Sequence, residues 1–176
     1  MEITIDKIPT SSEEFVALRD KIATTPEGGA VLFAVAMIAY GHKKETGLEF
    51  FTIAVDKSRL ITGNTYKGFS INNSDLSLLT MQLDKNLQLG NSYVLTTSAE
   101  AEYKLPAAPF KFEITENAYS GDRATGKFKV FVKSSGADTP RPITLAVNDK
   151  GIWKAHEWSS LIVGVKVIKK PVSDDL

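Results

Sequence analysis

Eleven consecutive apolar residues, Ala30 to Tyr40, constrain the fold of this chain more than any other part of its sequence. A helix of this length, rising about 1.5 Å per residue, would cross only about half of a ~30 Å hydrocarbon layer. Thr25, a proline and an acid precede the segment as at a typical helix start, and Gly41 with basic residues follows it as at a typical end. We therefore predict a helix from Pro26 to Tyr40 that other elements cover on most sides, and not a membrane span.

The overall composition limits the functions that are open to the chain. Its 176 residues are 43% hydrophobic and carry 21 basic and 21 acidic side chains. Zero net charge argues against a general binder of nucleic acid or anionic membranes, because both activities need clustered basic side chains. The chain has no cysteine, and its two histidines, His42 and His156, lack the spacing of a metal site. We expect neither a metal site nor a cofactor.

The length of the chain predicts a single core. We expect one domain over residues 1–168, followed by a mobile acidic tail over residues 169–176. Glu2 and Asp6 lie near the start of the chain, where a secretory signal would have a basic region followed by an apolar stretch. We therefore expect a cytoplasmic location.

Two further helices are predicted by their first residues and by apolar spacing. Ser11 and Glu14 form a capping box, which predicts a helix over residues 12–23. Asn72 is a typical N-cap, and a stripe of leucines at helical spacing follows it until Gly90. The leucines of this stripe are Leu76, Leu79, Leu83 and Leu87.

The segment between these helices has two interpretations. Residues Thr46 to Glu49 resemble another capping box and would open a helix toward Leu60. The run from Phe50 to Val55 is also rich in residues that favour strands, and periodicity alone does not decide such short apolar runs. A helix is the first prediction here, and a strand is the alternative.

From Tyr93 onward the apolar period changes from helical spacing to alternation. Apolar and polar residues alternate strictly from Phe110 to Thr115, which predicts a strand with one face in water. A turn at Asn148 to Gly151 predicts a hairpin that continues into a strand over Ile152 to Ala155. Helices followed by a mainly antiparallel sheet make the predicted fold class α+β. The other predicted strands contain Phe128, Val130 and Val132; Ile143, Leu145 and Val147; and Leu161, Val163 and Val165.

Two motifs in the second half carry a resemblance to a known family. The first runs Ser-Ser-Gly-Ala-Asp from Ser134 to Asp138, and the second runs Glu-Trp-Ser-Ser from Glu157 to Ser160. Together with the Trp-Lys pair at Trp153, they resemble the signature of an uncharacterised bacterial domain family. That resemblance implies no activity and therefore no catalytic residue. In shape, the predicted helices and sheet are similar to cone-shaped folds of the nuclear-transport-factor-2 type, which often hold a ligand between helices and sheet.

The candidate binding residues lie in or beside these motifs. Asp138 and Arg141 are three residues apart in a proline-flanked loop, where they can pair with each other or bind backbone carbonyls; anion binding by Arg141 is the alternative. His156 and Glu157 could serve acid–base chemistry in a shared pocket, although neighbours in a strand point to opposite faces. Trp158 completes the set, because aromatic residues and arginine dominate interface energetics. The sequence assigns no catalytic residue.

Two function hypotheses follow. The first is a non-catalytic binding or protein-interaction module that uses the Asp138 to Arg141 loop and the region of Trp153 and Trp158. The second is a small-molecule enzyme or ligand-binding domain with a pocket between helices and sheet. Since strand alternation puts Trp153 and Trp158 on opposite faces, we predict that Trp153 is in the core and that Trp158 is more exposed.

Overall fold

A computed structural model describes residues 1–168 of the chain. The predicted tail, residues 169–176, lies outside the described residues. The first half contains four α-helices, and a five-stranded antiparallel sheet forms most of the second half, so the predicted α+β class is confirmed. The helices are α1 (Ser12–Ile22), α2 (Pro26–His42), α3 (Lys44–Ala54) and α4 (Asn73–Lys85). The strands are β1 (Glu2–Ile5), β2 (Leu60–Tyr66), β3 (Phe69–Ile71), β4 (Phe110–Thr115), β5 (Lys127–Val132), β6 (Arg141–Val147) and β7 (Trp153–Glu157).

Helix α2 is the centre of the molecule, as its composition predicts. Every residue from Pro26 to Tyr40 is buried. The helix packs on β5, β6 and β7 with one side and on α1 and α3 with others. Close packing depends on its two first-turn glycines: a Cβ atom at Gly28 would lie 1.5 Å from the carbonyl oxygen of Ile22, and one at Gly29 would lie 2.6 Å from that of Trp153.

The predicted helix starts are also present in the structure. The Ser11 hydroxyl accepts from the backbone N–H of Glu14 at 3.2 Å, and Asn72 caps α4 in the same way through the N–H of Asp75 at 2.9 Å. The uncertain segment is helical, so the helix prediction is correct there and the strand alternative is wrong. That helix, α3, begins two residues before Thr46 and ends at Ala54, short of the predicted Leu60.

The five-stranded sheet has the order β1-β4-β5-β6-β7, with antiparallel pairing throughout. Its inner face contributes alternating buried residues such as Phe112, Val130 and Leu145 to the core, and β5, β6 and β7 pack against α2. The predicted turn at Asn148 to Gly151 joins β6 to β7, and Gly151 has a φ of +76°, which favours glycine. One parallel bridge, between Val55 and Ala155, attaches the end of α3 beside β7.

The sequence did not predict β1 or the β2–β3 hairpin. Strand β1 has only four residues and pairs with β4, which is more than a hundred residues away. In the β2–β3 hairpin the pairing shifts between Thr62 and Tyr66, so the regular alternation that identifies a strand is interrupted. Phe69 on β3 is 36% exposed, because the hairpin stands at the edge of the molecule rather than in its core.

Four sequence predictions are corrected by the structure. The last predicted strand, with Leu161, Val163 and Val165, is a short 3-10 helix (Ser159–Ile162) followed by irregular chain. Leu87 lies beyond the end of α4 and is exposed, because the helix ends at Lys85. The alternation of Ile143, Leu145 and Val147 predicts that all three face inward, but Val147, at the end of β6, is exposed. Trp158 is buried, with 3% exposure, against the prediction that it is the more exposed tryptophan.

The error at Trp158 has a backbone cause. Strand β7 ends at Glu157, and Trp158 has φ −137° and ψ 1°, which is not an extended conformation. The alternation of side chains that starts at Trp153 therefore ends at Glu157 and does not apply to Trp158. The chain turns at Trp158, which places the indole in the core. The ring stacks on Phe33 of α2, with 5.3 Å between centroids.

None of the helices among residues 1–168 has both the length and the apolar character that a membrane-crossing helix needs.

Candidate functional site

The predicted binding residues do not converge on one place. Asp138 forms an ion pair with Lys166 rather than with Arg141. Arg141 instead donates to the backbone carbonyl oxygens of Val163 and Gly164, at 2.9 and 2.6 Å, so the carbonyl-binding alternative is correct for this residue. These contacts attach the irregular segment after the 3-10 helix to the end of the sheet.

His156 and Glu157 also have separate surroundings. Glu157 is exposed, whereas His156 is half-buried and places its Nδ1 atom 3.3 Å from Oδ2 of Asp56. The Nε2 atom of His156 lies 3.4 Å from Nζ of Lys127 on β5. The carboxylate partner of the histidine is therefore Asp56, which follows α3, and not its sequence neighbour.

Asp56 lines a cleft that sequence analysis did not predict. The cleft has a volume of about 340 Å³ and lies between the ends of α1 and α3, the β2–β3 hairpin, and the turn that joins β6 to β7. We call it the Lys154 cleft, after the β7 lysine in its lining. Its charged and aromatic lining residues are Arg19, Asp56, Lys57, Tyr66, Lys67, Phe69, Asp149 and Lys154.

The position of Lys154 follows from the pleat of β7. Trp153 and Ala155 on either side are buried, so the lysine side chain leaves the strand on the opposite face. The backbone N–H of Asp56 donates to the carbonyl oxygen of Ala155 at 2.7 Å, which holds the end of α3 against the strand. Lys154 Nζ donates to the carbonyl oxygen of Ile53, one of the carbonyls that the end of α3 leaves free.

The charge of Lys154 is poorly compensated. Burial, followed by the nearby Arg19 guanidinium, lowers the pKa of Lys154 from 10.5 to about 8, against the opposing influence of Asp56 and Asp20. Among residues 1–168, no carboxylate oxygen lies within 4.0 Å of its Nζ atom. The hydrogen-bond acceptor of this half-buried ammonium is a neutral backbone carbonyl, so its positive charge has no adjacent counter-charge and can attract an anion.

Asp56 is held in the charged form at the same cleft. Burial alone would raise the pKa of Asp56, but hydrogen bonds from Ser58 and His156 lower it below its ordinary value of 3.8. Ser58 donates from its hydroxyl to the same Oδ2 atom that His156 approaches. The cleft thus contains the Asp56 carboxylate and the Lys154 amine. His156 contacts Asp56 but does not line the cleft.

We expect the replacement of Lys154 by Met to raise the thermal midpoint at pH 7 by about 2–4 °C, equivalent to about 1 kcal/mol. The pKa of about 8 lies below the unfolded value of 10.5, so at pH 7 the fold carries the full penalty of a buried charge. The penalty decreases as pH rises from 8 to 10.5, because the unfolded chain then binds more protons than the folded one. Thermal unfolding of both proteins at pH 7 and at pH 10.5 measures the difference.

The matched control for this comparison is Lys129→Met, because Lys129 is a partly exposed strand lysine outside the cleft. Its replacement should leave the pH dependence of stability unchanged. A gain from Lys154→Met that is equal at the two pH values would come from packing and would contradict the buried-charge account.

Comparison with family models identifies the chain. The model of a family described as Domain of unknown function (DUF6935) matches residues 7–169. The chain belongs to this family. The resemblance to an uncharacterised domain family is thereby confirmed, and the match includes every lining residue of the Lys154 cleft within the DUF6935 domain. A search of curated proteins found no match, and a search of solved structures found none either.

Sequence analysis proposed none of the cleft residues as a binding residue, although Lys154 belongs to the Trp-Lys pair of the family resemblance. Arg19 lies in the last turn of α1, Asp56 follows α3 and Lys154 lies on β7, so more than a hundred residues separate members of the site. Only tertiary packing brings these residues together, so no local spacing in the sequence could predict that they lie in one cleft. Among residues 1–168, no group of three or more histidine, aspartate or glutamate side chains is placed to hold a metal ion.

Proposed function

We propose that the Lys154 cleft binds a small organic anion and that this DUF6935 domain acts as a ligand-binding domain. The observation that carries the proposal is the half-buried ammonium of Lys154, which faces a cleft of about 340 Å³ and has no carboxylate within 4.0 Å among the described residues. An anionic group of a ligand would supply the missing counter-charge.

The balance of charge around the cleft supports an anion rather than a cation. Its lining contains four basic side chains and two acidic ones. Arg19 is engaged with its neighbour Asp20 at 2.9 Å, and Asp56 is engaged with Ser58 and His156. Lys57, Lys67 and Lys154 have no carboxylate within 4.0 Å among residues 1–168, and of these three only Lys154 is partly buried. Low-dielectric walls strengthen the attraction of such a cation for an anion.

The aromatic lining supports a ligand with an apolar part. Tyr66 and Phe69 come from the β2–β3 hairpin and face the cleft, and Phe69 is 36% exposed. Lys67 and Lys57 lie over these two rings, with Nζ 5.4 Å from the Tyr66 centroid and 5.8 Å from the Phe69 centroid. A flat ligand that carries one carboxylate or phosphate would contact the rings while its charge reaches the lysine.

The protein-interaction hypothesis has less support in the geometry. Trp158 is in the core, and Arg141 already donates to two backbone carbonyls. Both residues would need other surroundings to serve as recognition groups at a surface. The cleft supports the ligand-binding part of the alternative hypothesis, but it lies at the ends of α1 and α3 beside the β2–β3 hairpin rather than between the helices and the inner face of the sheet.

Benzoate is a suitable first probe, because it combines one carboxylate with one ring. At about 0.5 kcal/mol per non-hydrogen atom, its Kd is expected to be ~1 mM. Titration followed by amide NMR shifts should perturb residues around Ile53, Asp56, Phe69 and Lys154. Benzylammonium has the same shape and the opposite charge, and should cause no such perturbation.

Variants separate the cleft from the rest of the surface. Lys154→Met should weaken benzoate binding about tenfold, whereas Lys129→Met should leave it unchanged, because Lys129 lies outside the cleft. Equal binding of benzoate and benzylammonium, or shifts confined to another surface, would contradict the proposal.

A further inference from the structure

We propose that Lys154 is also a nucleophile, which forms an imine with the carbonyl group of a ligand that carries an anionic group next to it. This inference rests on the proposed function, since the anionic group is what the cleft would hold. It narrows the ligand class to short oxo acids, in which an aldehyde or ketone carbon is bonded to a carboxylate.

Geometry puts the amine in the position that such chemistry requires. Lys154 is half-buried at the cleft wall, and its Nζ atom is directed by a hydrogen bond to the carbonyl oxygen of Ile53. Both residues line the cleft, so the amine is next to the space that a ligand would occupy. A fixed amine beside a bound carbonyl carbon converts a bimolecular addition into a reaction within one complex.

The protonation state of the amine is favourable as well. An imine forms from the neutral amine, and a pKa of about 8 leaves about a tenth of Lys154 neutral at pH 7. An ordinary lysine, with a pKa near 10.4, is neutral in fewer than about one molecule in a thousand. The charged groups that act on the amine are Arg19, Asp20 and Asp56, and the other charged residues that line the cleft are Lys57, Lys67 and Asp149.

The reaction is balanced without an oxidant or a metal ion. The Nζ lone pair attacks the carbonyl carbon, the carbon–oxygen double bond opens onto oxygen, and a proton moves from nitrogen to oxygen to give a carbinolamine. The nitrogen lone pair then forms the carbon–nitrogen double bond while the hydroxyl group takes up a proton and leaves as water. Solvent water can carry these protons, because the cleft is open and no carboxylate oxygen among residues 1–168 lies within 4.0 Å of Nζ.

The carboxylate of the oxo acid needs its own partner, because Lys154 becomes the covalent site. Lys57 and Lys67 are the other basic lining residues that have no carboxylate within 4.0 Å among residues 1–168, whereas Arg19 is paired with Asp20. With the carboxylate held by these two lysines, the adjacent carbonyl carbon would face the amine. The ligand therefore needs a carbonyl group, which reacts with Lys154, and an anionic group, which the other basic residues bind.

Glyoxylate with sodium borohydride tests the inference on the full chain. Hydride addition to the imine carbon leaves a stable carboxymethyl group, and peptide mapping by mass spectrometry identifies which of the 17 lysines carries it. At pH 7, Lys154 should be labelled at least about tenfold faster than Lys129. Alpha-amino groups also react with aldehydes near neutral pH, and the map separates Met1 from Lys154.

Three comparisons decide the outcome. Lys154→Arg keeps a cation, so it should still bind benzoate while losing the cleft label. Labelling of Lys154 no faster than Lys129 would overturn the nucleophile even if benzoate binds, whereas failure of benzoate to bind overturns the proposed function itself. Propanal has the aldehyde without the carboxylate, and equal labelling of Lys154 by propanal and glyoxylate would overturn the oxo-acid class.

Discussion

Replacement of Val35 by Asp is expected to abolish soluble, folded protein. Val35 lies at the middle of α2 and has 0% exposure, within a helix that is buried on every side from Pro26 to Tyr40. An unpaired carboxylate at this position costs several kcal/mol, which is a large share of a typical stability of ~5–15 kcal/mol. The soluble yield and the thermal unfolding curve of the variant measure the effect.

A matched control places the same change on a helix face in water. Met81 lies on α4 and is 52% exposed, so Met81→Asp should reduce stability by no more than about 0.5–1 kcal/mol through helix propensity. Wild-type-like melting of the Val35→Asp variant would mean that α2 is exposed, and it would then be a candidate for binding a partner.

Local signals account for the part of the fold that the sequence predicts. The apolar run identifies α2 because it is long for a strand and has a helix start at Thr25 and a helix end at Gly41. The caps at Ser11, Thr25 and Asn72 are present because each satisfies a backbone N–H that the first turn of a helix leaves free. Such signals act within four residues, so they can be recognised without knowledge of the rest of the chain.

The failures occur where long-range contacts decide the structure. Strand β1 alternates polar and apolar residues, but its four residues are too few to identify a strand without β4, the partner that it meets more than a hundred residues away. The segment after β7 alternates like a strand at Leu161, Val163 and Val165, yet Arg141 and the core draw it into a 3-10 helix and irregular chain. Tertiary contacts override β-propensity there.

The candidate site is harder to predict from the sequence than the fold is. Seventeen lysines are equivalent in a sequence, and only burial beside Arg19 distinguishes the amine of Lys154 from the others. His156 was a candidate from sequence, but its partner is Asp56, a hundred residues away, rather than Glu157. The type of a residue can be recognised locally, whereas its pKa depends on what the fold places around it.

Replacement of Trp158 by Ala is expected to reduce the free energy of unfolding by about 3–5 kcal/mol, as large core deletions do. The indole is 3% exposed and stacks on Phe33 of α2, so its removal leaves a cavity against the central helix. Trp153, at 8% exposure, should show a comparable loss when replaced by Ala. Chemical denaturation of the two variants measures both values.

Trp158→Phe separates the packing of the indole from its polar atom. The Nε1–H group of Trp158 is buried and has no hydrogen-bond acceptor among residues 1–168, so the wild-type residue carries the desolvation cost of an unmade bond. Phenylalanine keeps a ring against Phe33 and removes that donor, while it also fills less volume. The two effects oppose each other, and we expect Trp158→Phe to lose no more than about 1.5 kcal/mol, well below Trp158→Ala. If Trp158→Phe were as unstable as Trp158→Ala, a ring against Phe33 would not be enough to fill the site, and the loss would come from the volume of the indole or from a group bound to its nitrogen, such as a buried water.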